Sequence, residues 1–183
     1  MRRSLQGPGA AILTAMTLGC MAGAAGQRGG RMGGADGFGP EGGTRYINPG
    51  TLTALDGFTH AVKVGLTIYI SGEVPLDSTG HLVGVGDLRA QARQAFANLA
   101  FVLQIAGAAP ADVSKLDIYV VNLHPGDFAA IKEAGADFFP QRNPPAGTVL
   151  GVQALPREGM LIAIDAIANP RGLIPPRVRD ERP

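Results

Sequence analysis

The middle of the chain alternates between short apolar segments with the period of a strand and one segment with the period of a helix. Segments rich in β-branched and aromatic residues, bounded by glycine and proline, are typical of strands. A hairpin is expected where two such segments are separated by only two residues, Gly65 and Leu66. The predicted strands are residues 45–47, 61–64, 67–74, 113–123, 148–152 and 160–168.

Two helices are predicted between these strands. The first begins after Asp87, whose carboxylate can accept the free N–H groups of a first turn, and ends at Gly107. Its apolar residues recur at helical spacing and define one buried face. The second opens at Asp127 and contains Gly135 in its middle, which weakens it. The core contacts expected from this second segment are Phe128, Ile131, Phe138 and Phe139.

This order of elements predicts a single α+β domain over residues 44–169, with two helices packed on one face of a mixed sheet. The last strand, 160–168, is mostly apolar, so the face of the sheet away from the helices also needs cover. Because an exposed apolar face marks an interaction surface, we expect the domain to associate with copies of itself.

The amino-terminus has the pattern of an export signal. Arg2 and Arg3 precede an uncharged stretch whose apolar part spans residues 10–18, and small residues follow at 22–24. Residues 1–25 are therefore expected to be a signal peptide, for either the general or the twin-arginine route. The mature protein is then expected to be periplasmic or secreted.

The segments around the domain have simpler compositions. Half of residues 26–43 are glycine, which predicts a flexible linker, and residues 170–183 read as a solvated tail rich in proline and arginine. Cys20 offers an alternative to cleavage, because residues 18–20 resemble the end of a lipoprotein box. A membrane is expected as a partner only if Cys20 is lipidated.

Composition excludes several functions. The chain has 16 basic and 15 acidic residues, a net charge of +1, whereas nucleic-acid binding calls for a basic excess. It has no tryptophan and few aromatic residues for base stacking, so no nucleic-acid partner is expected. With one cysteine and no two histidines at a metal-ligand spacing, no metal site is predicted.

Three polar residues near apolar strands are candidates for chemistry. Ser71 is either a strand-end serine bonded to backbone or a hydroxyl lining a cleft, and no G-x-S-x-G elbow accompanies it. His60, just ahead of a strand, is either a buried, hydrogen-bonded histidine or an acid–base group. Asp165 faces solvent, an interface or a cleft, because a buried, unpaired carboxylate is costly.

Five segments together resemble the RidA-type (YjgF-like) family of reactive intermediate deaminases. They are GFTHAVKVGLTIYISGEVPLD, DLRAQARQAFANLAFVLQIAGA, VSKLDIYVVNL, NPPAGTVLGVQALP and LIAIDAIA, and the match covers the whole domain. The resemblance implies a fold similar to chorismate mutase and a homotrimer with ligand clefts between subunits. It also implies cofactor-free hydrolysis of enamines and imines, with an arginine on the substrate carboxylate and a glutamate that helps to position water.

The chain departs from this pattern where the resemblance implies function. Gly147 stands at the position of the arginine, and Ala163 stands at that of the glutamate. Phe58 replaces a tyrosine, and Val149 replaces a residue that is often cysteine, whereas Ser71 is retained. An arginine–carboxylate contact is bidentate and charge-assisted, so its loss weakens recognition of 2-imino acids.

The sequence therefore predicts a protein that binds a small metabolite in clefts between subunits, with enamine or imine hydrolysis altered or lost. A deaminase acting on substrates without a carboxylate is an alternative, as is a non-enzymatic, ligand-binding or chaperone-like exported protein. The predicted catalytic residues are His60 and Ser71, and the predicted ligand-binding residues are Phe58, Glu73, Gly147, Thr148, Val149 and Asp165.

Overall fold

The computed structural model describes residues 43–139 and 142–170. The predicted signal peptide with Cys20, the glycine-rich linker up to residue 42 and the tail beyond residue 170 lie outside the described residues. Within the described part of the chain, no helix is long and apolar enough to cross a membrane.

The predicted order of strands and helices is confirmed, and most boundaries agree to within two residues. In chain order the elements are β1 (Thr44–Ile47), β2 (Ala61–Val64), β3 (Thr67–Glu73), α1 (Leu88–Ala106), β4 (Val113–Val121), α2 (Asp127–Ala134), β5 (Ala146–Val152) and β6 (Ile162–Ala168).

The six strands form one mixed sheet in the order β1-β2-β3-β6-β4-β5. All neighbours are antiparallel except β4 and β5, which are parallel and connected through α2. The helix-facing side chains of the strands, such as Ile68, Leu116 and Ile164, form one buried core with the apolar faces of α1 and α2. The predicted α+β class, with two helices on one face of a mixed sheet, is therefore confirmed.

Helix α1 has the ends that its sequence predicts. The Asp87 carboxylate accepts a hydrogen bond from the Ala90 backbone N–H, as an N-cap does. Gly107 adopts φ +81°, a left-handed conformation that glycine tolerates, and its N–H bonds to carbonyl oxygens of the last turn. The helix therefore begins and ends where local chemistry requires.

The second helix is shorter than predicted. Gly135 caps the end of α2 instead of lying in its middle. A Cβ atom at this position would lie 2.5 Å from the ring of Phe96 on α1, so the packing of the two helices requires glycine here. Ile131 and Phe138 are buried as expected, and Phe139 packs against the core. Phe128 was expected in the core, but it is 50% exposed, because it lies in the first turn of α2 beside the edge strand.

Gln91 is a fully buried polar residue that the pattern of α1 did not single out. Its side-chain amide donates to the carbonyl oxygens of Gly84 (3.1 Å) and Gly159 (2.8 Å). Its side-chain oxygen accepts from the Leu161 N–H at 2.7 Å. One side chain thus ties the loop before α1 to the turn before β6.

We expect Gln91→Met to lower the free energy of unfolding by about 1–3 kcal/mol, because it leaves backbone groups unpaired in the interior. Gln104→Met, on the exposed side of the same helix, is the matched control and should have little effect. Urea denaturation followed by circular dichroism measures both. Equal stability of the two variants would contradict the structural role of Gln91.

Candidate functional site

The strongest candidate site is a cavity of about 290 Å³ at the end of β3. A register shift between Ile70 and Glu73 marks a β-bulge where β3 pairs with β6. Bulges turn strand residues away from strict alternation and are frequent near active sites. Here residues 71–74 all line the cavity, together with residues of the loop before β2, Pro156 and Ala163.

A buried histidine–carboxylate pair lies in the wall of this cavity. His60 Nδ1 is 2.9 Å from Glu73 Oε1 and 3.2 Å from Oε2, and the two residues are only 5% and 3% exposed. The loop holding His60 is fixed by Asn48, whose side-chain oxygen accepts from the His60 N–H at 2.9 Å. His60 is therefore held in place through both its backbone N–H and its ring nitrogen Nδ1.

The pKa of each member of the pair is raised above its ordinary value, so each holds a proton more tightly than it would in water. The hydrogen bond to Glu73 raises the pKa of His60 above its ordinary 6.5, although burial acts in the opposite direction. The nearby carbonyl of Leu52 adds to this rise without reaching hydrogen-bond geometry, and His60 Nε2 is buried without a partner among the described residues. Burial raises the pKa of Glu73 above its ordinary 4.5, and the bond from His60 opposes that rise.

Ser71 lines the same cavity, but its hydroxyl is bonded to the backbone. Its Oγ donates to the carbonyl oxygen of Thr59 at 2.7 Å, and its N–H donates to the carbonyl oxygen of His60 at 2.9 Å. A serine nucleophile needs a base to take its proton. The Ser71 hydroxyl donates to a backbone carbonyl and not to the His60 ring, so its geometry favours holding the loop before β2 against β3.

Asp165 lies on the sheet face away from the helices, outside the cavity of His60. It accepts a hydrogen bond from the Tyr119 hydroxyl at 3.0 Å and stands opposite Asp117 on β4. Burial raises the pKa of Asp165, whereas the bond from Lys115 lowers the pKa of Asp117. Asp165 is thus part of a half-buried polar cluster on the open face of the sheet.

Gly147, Thr148 and Val149 line a second cavity, of about 250 Å³, between the edge strand β5 and α2. It shares no lining residue with the cavity of His60. A Cβ atom on Gly147 would lie 3.1 Å from the Leu116 carbonyl oxygen, so this backbone is packed closely against β4. Within one chain, the predicted ligand-binding residues are therefore divided between separate places.

The bond between His60 and Glu73 is the feature of the candidate site that the sequence did not reveal. Both residues were singled out, but Glu73 was expected to contact ligand directly. The two lie 13 positions apart, His60 just before β2 and Glu73 at the end of β3. The hairpin register pairs Ala61 with Ile70, which places His60 opposite Ser71 and not opposite Glu73. The bulge that completes the contact has no distinctive sequence signal except Gly72.

No cluster of three or more potential metal-ligating side chains occurs in the described ranges. The Glu73 carboxylate and the His60 ring contact each other.

A family model described as Endoribonuclease L-PSP matches residues 50–169, which is nearly the whole domain. The chain belongs to this family. The RidA-type proteins are members of it, so the resemblance carried by the five segments is confirmed, as is the fold that it implies.

Individual relatives support the same assignment. The 2-iminobutanoate/2-iminopropanoate deaminase of Mus musculus is 39% identical over 116 residues, which cover 63% of this chain and 82% of the relative. The crystal structure of RidA from Psychrobacter is 31% identical with a TM-score of 0.61, covering 68% of this chain and 98% of that one. Escherichia coli TdcF, solved with bound serine, is 27% identical with a TM-score of 0.61, covering 68% and 98%.

The buried pair predicts a defined dependence of stability on pH. A raised folded-state pKa means that the folded RidA-type domain binds the proton more tightly than the unfolded chain does. The stabilisation from His60 is fully present below pH 6.5 and is lost as pH rises through the raised value. The raised pKa of Glu73 acts in the same direction. Its stabilisation is fully present below pH 4.5 and is lost as pH rises through the raised value.

We therefore expect the free energy of unfolding to fall as pH rises above 6.5, by no more than about 1.4 kcal/mol per pH unit for each proton. In Glu73→Gln the charge that favours imidazolium is gone while burial remains, so this slope should weaken or reverse. Denaturant titrations at several pH values and one fixed protein concentration measure it. An unchanged slope in Glu73→Gln would contradict the pairing.

Proposed function

We propose that this chain is a RidA-family subunit that binds a small metabolite in the cavity beside His60. In this proposal, a neighbouring subunit completes the cleft, and the hydrolysis of carboxylate-bearing imines is altered or lost. One observation carries the proposal: the cavity wall holds the His60–Glu73 pair and no other ionisable group among its described lining residues. Within the lining that one subunit supplies, a substrate carboxylate would meet no arginine or lysine.

The size and lining of the cavity support a small ligand. Its volume of about 290 Å³ lies near the lower end of the range for ligand sites, roughly 300–1,000 Å³. Most of its wall is apolar, with Leu55, Phe58 and Val74 among the lining residues. Relatives named as imine deaminases, and one relative solved with serine, act on or hold molecules of this size.

The open face of the sheet supports assembly into a homotrimer. Strand register places Tyr46, Tyr69 and Leu150 on the face away from the helices, and all three are between 48% and 71% exposed. Exposed large apolar side chains on an uncovered sheet face are typical of interfaces. In a closed ring, the cavity of His60 on one subunit and the β5 cavity of another would contribute to one cleft.

We expect sedimentation equilibrium to give three times the mass of one chain. Tyr69→Asp places a charge on the open face and should dissociate the assembly, because an unpaired charge in an apolar interface is costly. Val85→Asp is the control, since Val85 is 76% exposed and lies in the loop before α1. A monomer, or a Tyr69→Asp variant with unchanged mass, would contradict this part of the proposal.

We expect the protein to release ammonia faster from freshly generated imines without a carboxylate than from 2-imino acids. His60→Gln should slow the faster reaction by about 100-fold, the usual contribution of an acid–base group. Glutamine retains a donor for Glu73, so this variant avoids leaving a buried carboxylate unpaired.

His81→Ala is the control, because the side chain of His81 is 83% exposed and does not line the cavity. Circular dichroism would verify that both variants are folded. Rates equal to those in buffer for every imine would exclude the enzymatic function. They would favour the non-enzymatic, ligand-binding alternative.

A further inference from the structure

The Glu73 carboxylate is buried with fewer donors than a carboxylate can use. An ionised carboxylate offers about four acceptor positions. Among the described residues only His60 Nδ1 donates to it, and that single nitrogen lies near both oxygens. Buried charges normally need several hydrogen bonds to offset the loss of water. Glu73 therefore retains acceptor capacity in the wall of a cavity.

No other lining residue of this cavity carries a cation that could bond to the free acceptor positions of Glu73. Thr59 and Ser71 line the cavity, but their hydroxyl groups donate to the side-chain oxygen of Asn48 and to backbone carbonyls. The neighbouring loop cavity contains Asp56 and Arg157, and Arg157 Nη1 donates to the carbonyl oxygen of Gly80. Besides the hydroxyl of Thr53, the uncommitted polar groups of the lining are the Glu73 carboxylate and His60 Nε2, and Nε2 is an acceptor when His60 is neutral with its proton on Nδ1.

We propose that Glu73 is the specificity-determining residue of this cavity and that it binds ligands through a cationic N–H group, such as an amidinium, iminium or protonated amine. The proposal rests on the ligand-binding function proposed above and names the chemical class of the ligand. A ligand carboxylate would be repelled by Glu73. A planar group with two N–H donors would meet the carboxylate in the bidentate manner of arginine.

Binding of a cation must be compatible with the neighbouring histidine. An imidazolium would compete with the ligand for Glu73, but it can give up its ring proton to solvent. Neutral His60 with a proton on Nδ1 still donates to Glu73 and carries no charge. The ligand cation then replaces the imidazolium charge beside the carboxylate. Affinity for cations should accordingly be greatest where His60 is neutral.

Benzamidinium, benzamide and benzoate provide a matched test. The three have nearly the same shape and differ in charge, and the ring fits the apolar wall that includes Leu55 and Val74. Affinities are measured by calorimetry on the full-length protein from about pH 7 to about pH 9.5, because the pKa of His60 lies above its ordinary 6.5 and the neutral ring forms only as pH rises. The variants are Glu73→Gln and, as a matched control, Glu158→Gln on an exposed loop.

We expect benzamidinium to bind more tightly than benzamide, and benzoate to bind least. Glu73→Gln should weaken benzamidinium by about 10- to 100-fold, as the loss of a charge-assisted bond implies, and leave benzamide nearly unchanged. Glu158→Gln should behave as wild type. Chemical shifts of the Glu73 carboxylate and the His60 ring should move when benzamidinium is added.

Three outcomes would overturn the proposal. These are benzoate binding as tightly as benzamidinium, a Glu73→Gln variant that keeps the preference, and no binding of any of the three compounds at millimolar concentration. The order of affinities and the changes in chemical shift are measured on the wild-type protein, so they test the proposal even if Glu73→Gln does not fold. Ammonia release is a separate measurement, so failure of the ligand class and failure of the proposed function can be told apart.

Discussion

A six-stranded sheet has two faces, and the two helices of this domain cover only one of them. That constraint organises the rest of the molecule. The covered face forms the core and is filled by the helix-facing side chains of the strands. The other face keeps Tyr46, Tyr69 and Leu150 exposed and carries the half-buried polar cluster of Asp165. At the end of β3, however, the loop before β2 and Pro156 enclose a cavity over it.

The chemistry of that cavity follows from one buried interaction. A carboxylate 3% exposed at Glu73 is tolerable because the imidazole of His60 lies within hydrogen-bond distance. The two residues reach each other because a bulge in β3 brings residues 71–74 to the cavity and Asn48 holds the loop of His60. The resulting site has an acid–base pair but no strong cation. This distinguishes it from a site built around an arginine.

Much of the fold could be predicted from the sequence because it depends on local periodicity. The Asp87 and Gly107 caps, the hairpin at Gly65 and the order of elements all follow from side chains close in the chain. Phe128 was placed wrongly because helical spacing indicates a face but not whether that face is covered. Gly135 was misread because its role depends on Phe96, which lies on another helix.

The sequence by itself determined the class of fold and the family. These depend on residue identity and on spacing within short segments. Only the tertiary structure decided that Glu73 is bonded to His60, that Asp165 lies apart from that pair, and that Gly147 lines a different cavity. The physical reason is that strand register, a bulge and loop closure set distances between residues far apart in the chain, and none of these is encoded in a local pattern.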